Sequence, residues 1–144
     1  PGINRALVVH RIVAVSGTDV FGGKQECAIK VCEAGPFLVL KLNAFAHRQQ
    51  PKDAFDVYQS VLHYDGGPAV AAQGFRAEAA ANSGFKAATD TLAEHFAAID
   101  GAGATRCAEF MIGGLEGQMP GTDFAFRRSQ IQNEMLSAAQ LLLR

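Results

Sequence analysis

The hydrophobic pattern of this chain changes period once, at Ala34-Gly35-Pro36, and that change limits the folds open to it. Upstream the pattern is that of strands. Residues 6–15 are rich in β-branched side chains, with His10 and Arg11 interrupting them, and read as a strand or a kinked strand pair. Residues 25–33 alternate, apolar at Cys27, Ile29 and Val31 and polar at Glu26, Lys30 and Glu33. The glycine-rich stretch SGTDVFGGK between them predicts an antiparallel hairpin with a wide connection. Downstream the spacing is helical to the end of the chain. Strands first and helices after is an α+β arrangement with most of its mass helical.

Proline and glycine punctuate the helical part. Pro36 suits a first helical turn, and a helix over 37–48 follows until Gln49-Gln50 breaks it. Pro51 opens a second helix with Asp53 in its first turn, where the helix dipole favours an acid. Its apolar stripe is Phe55, Tyr58, Val61 and Leu62, and Gly66-Gly67-Pro68 ends it. Residues 69–81 form an alanine-rich helix with Gly74 as its weak point. Ser83 can cap an amphipathic helix over 85–99. Residues 101–105 read as a flexible link, 106–112 as a short helix or extended piece, and 113–121 as a loop. Thr122 and Asp123 can cap a last helix over 124–143. The 144 residues make one domain, or the C-terminal part of a larger one, with a β part over 1–35 and a helical part over 36–144. The chain enters an apolar strand almost at once from Pro1, without a methionine, which suggests a piece of a longer protein.

Composition excludes several functions. At 49% hydrophobic and 19% charged the chain is globular, and a net charge of −1 provides no field to draw its whole surface onto nucleic acid. An anionic ligand would need a local cluster of cations. No apolar run reaches membrane-span length, and no signal-peptide pattern opens the chain. Cys27, Cys32 and Cys107 are an odd set at unrelated spacings, read as buried or half-buried thiols in a reducing cytosol. GTDVFGGK fails as a phosphate loop, because Gly23 stands where lysine is needed from Gly17, and Gln25 replaces the hydroxyl. His10, His47, His63 and His95 make no zinc spacing, there is no GxSxG element, and Arg127-Arg128 reads as a solvated face.

The coherent charge pattern lies in PFLVLKLNAFAHRQQPKDAFDVYQSV. Lys41 interrupts an apolar run, so its ammonium is partnered, reaches water, or holds an anion. Lys41 and Arg48 are two helical turns apart and share a face. Lys52, Asp53 and Asp56 fall away from the apolar stripe of the next helix, with Lys52 and Asp56 spaced to pair. The tight QQP joint brings these five together. They form either a salt-bridge cluster that fixes the angle between the helices or an anion site.

The segment VLKLNAFAHRQQPKDAFDVYQSV also resembles nucleotidyltransferase-like proteins grouped with the AbiEii/AbiGii toxins. Their pattern is a lysine and an arginine on one helix, then Lys-Asp and a further Asp opening the next, typically KDAYDLY where this chain has KDAFDVY. The likeness spans about residues 25–112 and is specific over about 25 of them. It implies a mixed sheet of the nucleotidyltransferase type, of which the strands here would be the edge, followed by a helical bundle. It implies nucleotide transfer from an NTP, with magnesium, to an RNA or protein acceptor in the cytoplasm, with an antitoxin as a possible partner. By the same resemblance Lys41 would contact the triphosphate, Arg48 and Lys52 would support the anionic ligand or the local acids, and Asp53 and Asp56 would shape the site, one of them as a base. The family's Asp-x-Asp pair, which holds magnesium, does not occur in this chain. The expectation is therefore the C-terminal part of such a protein, inactive alone. The alternative is a non-catalytic helical interaction module whose strands pair with another chain.

Overall fold

A computed structural model describes residues 2–144. The fold is α+β: two antiparallel strands, then a helical bundle. A short helix α1 (Ile3–Val8) leads into strands β1 (His10–Thr18) and β2 (Lys24–Cys32). Helices α2 (Ala34–Arg48), α3 (Pro51–Leu62), α4 (Pro68–Ala77), α5 (Phe85–His95), α6 (Ala102–Ile112) and α7 (Gly121–Leu143) follow. None of the described helices is long and apolar enough to cross a membrane.

Helix α2 lies at the centre of the body, against α3, α4 and α5, while α6 packs between α3 and α7. Leu38, Val39, Leu42 and Phe45 of α2 are wholly buried. Around them close Val57 and Val61 of α3, Phe75 of α4, Leu92 and Phe96 from α5 and its end, and Met135 of α7. Phe45 meets Phe96 edge to face, with ring centroids 4.8 Å apart. The buried stripe of α3 is Ala54, Val57, Tyr58 and Val61. It is rotated from the expected one, leaving Phe55 half-buried and stacked on Phe110 at 4.7 Å.

Several boundaries move, each for a tertiary reason. The strand expected over 6–15 begins only at His10, and the residues before it are helical. Arg5 draws that turn onto the bundle by pairing with Glu78, whose carboxylate is 3% exposed, at 3.1 Å. The β-branched residues of the run are realised as strand only from His10 onward. Glu78 itself begins a 3₁₀ turn (Glu78–Ala80), where α4 stops short of the expected 81. Helix α2 starts three residues early, at Ala34, and Pro36 lies in its first turn as expected, where its missing N–H has no helical partner to lose. Helix α6 starts at Ala102 and not at Arg106. Its Gly103 reads as linker but is demanded by packing, since a Cβ there would lie 2.2 Å from the Phe96 ring. Helix α5 ends at His95, earlier than the expected 99. Helix α7 begins at Gly121 behind Pro120, so neither Thr122 nor Asp123 is its cap. Ser83 makes no cap, and Asn82 Oδ1 instead accepts the Gly84 N–H at 3.0 Å. Of the thiols, Cys107 is buried, Cys32 half-buried, and Cys27 exposed, which corrects the expectation for Cys27.

The strands pair as a ribbon in the register His10↔Cys32 through Thr18↔Lys24. Cross-strand partners share a face. One face therefore carries the pairs Val13–Ile29 and Val15–Cys27 with Val31 beside Arg11, and the other carries Ile12–Lys30, Ser16–Glu26 and Thr18–Lys24. Both faces are largely open, with Ile12 at 68% exposure and Ile29 at 44%. The connection is a compact turn, because the Asp19 carboxylate accepts the N–H groups of Phe21 and Gly23 at 2.9 and 2.8 Å. Val20 and Phe21 at its tip are more than nine-tenths exposed. At the root, Arg11 pairs with Asp65 at 3.3 Å and lies over the Tyr64 ring, and the Tyr64 hydroxyl donates to Glu33.

Two glycines on facing helices have opposite tolerances. A Cβ on Gly35 would sit 2.3 Å from the Gly74 carbonyl oxygen, whereas one on Gly74 would meet only Gly35 backbone at 3.6 Å. Gly35→Ala is therefore expected to destabilise the protein by about 1–3 kcal/mol through overpacking. Gly74→Ala is expected to stabilise it by up to about 1 kcal/mol through helix propensity. Urea unfolding midpoints of the two variants check the opposite signs.

Candidate functional site

The five charged residues singled out in the sequence come together at the α2–α3 joint. Helix α2 ends where Gln49 takes a left-handed conformation (φ 45°) and donates its N–H to Phe45. Gln50 is extended, and Pro51 begins α3 at once. This tight reversal sets the last turn of α2 beside the first turn of α3. Arg48 then forms a fork on Asp53, with Nε to Oδ2 at 2.6 Å and Nη2 to Oδ1 at 2.8 Å. Lys41 Nζ reaches the same carboxylate at 3.3 Å and Asp56 at 2.6 Å. Lys52 Nζ binds both oxygens of Asp56 at 2.9 Å.

Exposure differs sharply within the group. The Asp53 side chain is 1% exposed, that of Lys41 21%, and that of Arg48 57%. Paired charges of this kind tolerate burial because each carboxylate is hydrogen-bonded and opposed by a cation. The bonds from Arg48 hold the Asp53 carboxyl below the usual carboxylate range against the opposing effect of burial, with Lys41 assisting. Burial pulls the Lys41 ammonium down, but Asp56 and Asp53 together outweigh it, and the net shift is upward. Burial likewise opposes ionisation of Asp56, and Lys41 and Lys52 reverse it, so its pKa falls. The cluster sets three basic side chains against two acidic ones.

The geometry distributes roles unevenly. Asp53 is sealed and accepts three hydrogen bonds, so it positions Arg48 and Lys41. Asp56 is the more open carboxylate. Lys41 has three N–H donors, and its two carboxylate partners account for two of them. Its ammonium also lies 5.5 Å from the Phe37 ring centroid, one turn back on α2. Each carboxylate is already engaged by an ammonium or guanidinium. No group of three or more His, Cys, Asp or Glu among the described residues is placed to hold a metal ion.

Comparisons with protein-family models, with curated proteins and with solved structures find no match to this chain. Its fold and site therefore stand on their own geometry.

One feature escaped the sequence. A groove of about 560 Å3 opens at the root of the hairpin, between the strands and α2–α3. Its walls include Arg11 and Lys30 from the ribbon, Phe37 from α2, Gln59 from α3, and Tyr64 beyond α3. The only local signal was Arg11, an interruption in an apolar strand.

The charge cluster makes a signed prediction for pH. Asp53 and Asp56 have folded pKa values below their unfolded ones, so their stabilisation is present above about pH 4. It is lost as pH falls through the folded values. Lys41 is shifted upward, so its contribution holds below about pH 10 and fades as pH rises further. Asp53→Asn is expected to cost about 3 kcal/mol at neutral pH, as for a broken buried pair. It is also expected to flatten the acid limb, measured by urea unfolding across that range. An acid limb as steep as wild type in the variant would dissociate Asp53 from it.

Proposed function

We propose that this chain is the helical, C-terminal part of a nucleotidyltransferase-like protein, in which the α2–α3 cluster holds the triphosphate of an NTP. The observation that carries this reading is the state of Lys41. Its ammonium is fixed between two carboxylates, keeps a fifth of its side chain exposed, and retains a third donor. A cation held in place in this way loses little freedom on meeting a phosphate, which favours binding. Arg48 and Lys52 flank it with exposed side chains, and the cluster has a net positive charge.

In this reading Asp53 holds the cations in position, and Asp56, the more open carboxylate, could act as a base only after Lys41 and Lys52 turn to the phosphates. The magnesium that such a transfer uses would be held by carboxylates from outside this chain, as would the residues that choose an RNA or protein acceptor. The unpaired edges of the hairpin support the same idea, since a strand pair joins a larger sheet through its edges. A cytoplasmic setting and an antitoxin partner belong to this proposal as well.

A second reading belongs to a different class: a non-catalytic interaction module. The observation favouring it is the ribbon itself, with both edges unpaired in the described structure and apolar residues on an open face. In that case the cluster only fixes the helix angle, and the hairpin recruits another chain.

Two measurements separate the readings. ATP with magnesium at a hundredfold excess over its Kd is expected to stabilise the natural full-length protein by about 2.7 kcal/mol. Lys41→Met should abolish that thermal shift, and equal shifts in wild type and variant would reject Lys41 as a triphosphate contact. Under the second reading ATP has no effect, sedimentation shows mass rising with concentration, and Ile29→Lys removes the rise.

A further inference from the structure

We infer that the groove at the root of the hairpin is the nucleoside subsite of the same centre, taking the base and ribose of the nucleotide whose phosphates lie at Lys41. The inference rests on the triphosphate reading above and adds to it where the rest of the substrate goes.

Three observations support the assignment. The first is continuity. Phe37 lines the groove and also lies under the Lys41 ammonium, 5.5 Å from it. The two residues are one turn apart on α2, about 6 Å along the axis. A ligand can therefore run from the cations into the groove along one helix face. The second is size. A volume of about 560 Å3 falls within the range that encloses small ligands. The third is chemistry. Arg11 lies over the Tyr64 ring at 5.8 Å, and both face the groove. Guanidinium planes and aromatic rings are the surfaces on which nucleobases stack. Gln59 and Ser60 contribute an amide and a hydroxyl able to read the base edge or the sugar.

The ring and the guanidinium are both held before a ligand arrives. Glu33 accepts the Tyr64 hydroxyl proton, and Asp65 pairs with Arg11 at 3.3 Å. The other cavities lack this connection. Neither the groove beside Arg5 and Glu78 nor the one along α7 at Phe126 and Asn133 is lined by Phe37 or by any residue of the charge cluster.

Titration calorimetry on the natural full-length protein tests this with two ligands, ATP and inorganic tripolyphosphate. The groove should make ATP bind at least tenfold more tightly than tripolyphosphate. Gln59→Trp changes an exposed helix position at the groove and fills it. It should bring ATP down to the level of tripolyphosphate and leave tripolyphosphate unchanged. Equal affinities in wild type, an ATP affinity unaltered by Gln59→Trp, or a loss shared by both ligands would each overturn the subsite. The Lys41 reading would survive those results so long as Lys41→Met weakens both ligands. If neither ligand binds, the triphosphate reading fails and the subsite fails with it.

Discussion

Asp53 is the point at which the two helices of the joint are tied. Its carboxylate lies at the start of α3, hidden from water, and draws Arg48 from the end of α2 and Lys41 from two turns earlier. Removing a carboxylate from water is costly, and the interior returns that energy only where geometry is good and every lone pair is used. The guanidinium fork and the Lys41 ammonium come close to that condition, giving Asp53 three hydrogen bonds. The fork also fixes more than a distance, because a planar fork on a planar carboxylate sets an orientation. The angle of α3 against α2 follows from it. Since α2 is the central helix, the seat of α6 on α3, and so of α7 on α6, follows in turn.

The ribbon obeys a different logic. The helical body closes over its own apolar side chains, whereas β1 and β2 pair mainly with each other. A lone two-stranded ribbon is marginal in water. Here it is steadied by the Asp19 turn at one end and by the Arg11, Tyr64, Glu33 and Asp65 contacts at the other. Between these ends its strands alternate as if one face were meant to be covered. The contrast gives the molecule two regimes, a body sufficient to itself and an arm that is not.

Much of this was legible in the sequence, and the parts that were not share a cause. The α2–α3 cluster could be read because every partner lies within one helical hairpin, where spacing alone decides which side chains meet. The ribbon could be read from alternation and its glycine-rich turn. Helix α1 could not, because six residues are too few to show a helical period and their tie to Glu78 lies 73 residues away. The start of α6 was hidden because Gly103 resembles a linker until Phe96 is packed against it. The stripe of α3 was misplaced by Phe55, which is large and apolar but finds its partner in Phe110 at the rim of the core. The groove was invisible for the same reason: Arg11, Phe37 and Tyr64 have no shared period, and only the fold makes them neighbours.

The ties of this structure also differ in how far along the chain they reach. Arg48 and Asp53 are 5 residues apart, and Lys41 and Asp53 are 12. Arg11 and Asp65 are 54 apart, and Arg5 and Glu78 are 73. Closing a long loop costs more entropy than closing a short one, and contacts between distant residues form late. The α2–α3 joint can therefore nucleate the body by itself, while the N-terminal segment is fastened only when α3 and α4 are in place to receive it. The same ordering runs backwards on unfolding. The two long-range ion pairs, with the Tyr64–Glu33 bond, are the side-chain ties that fasten the arm to the helical body.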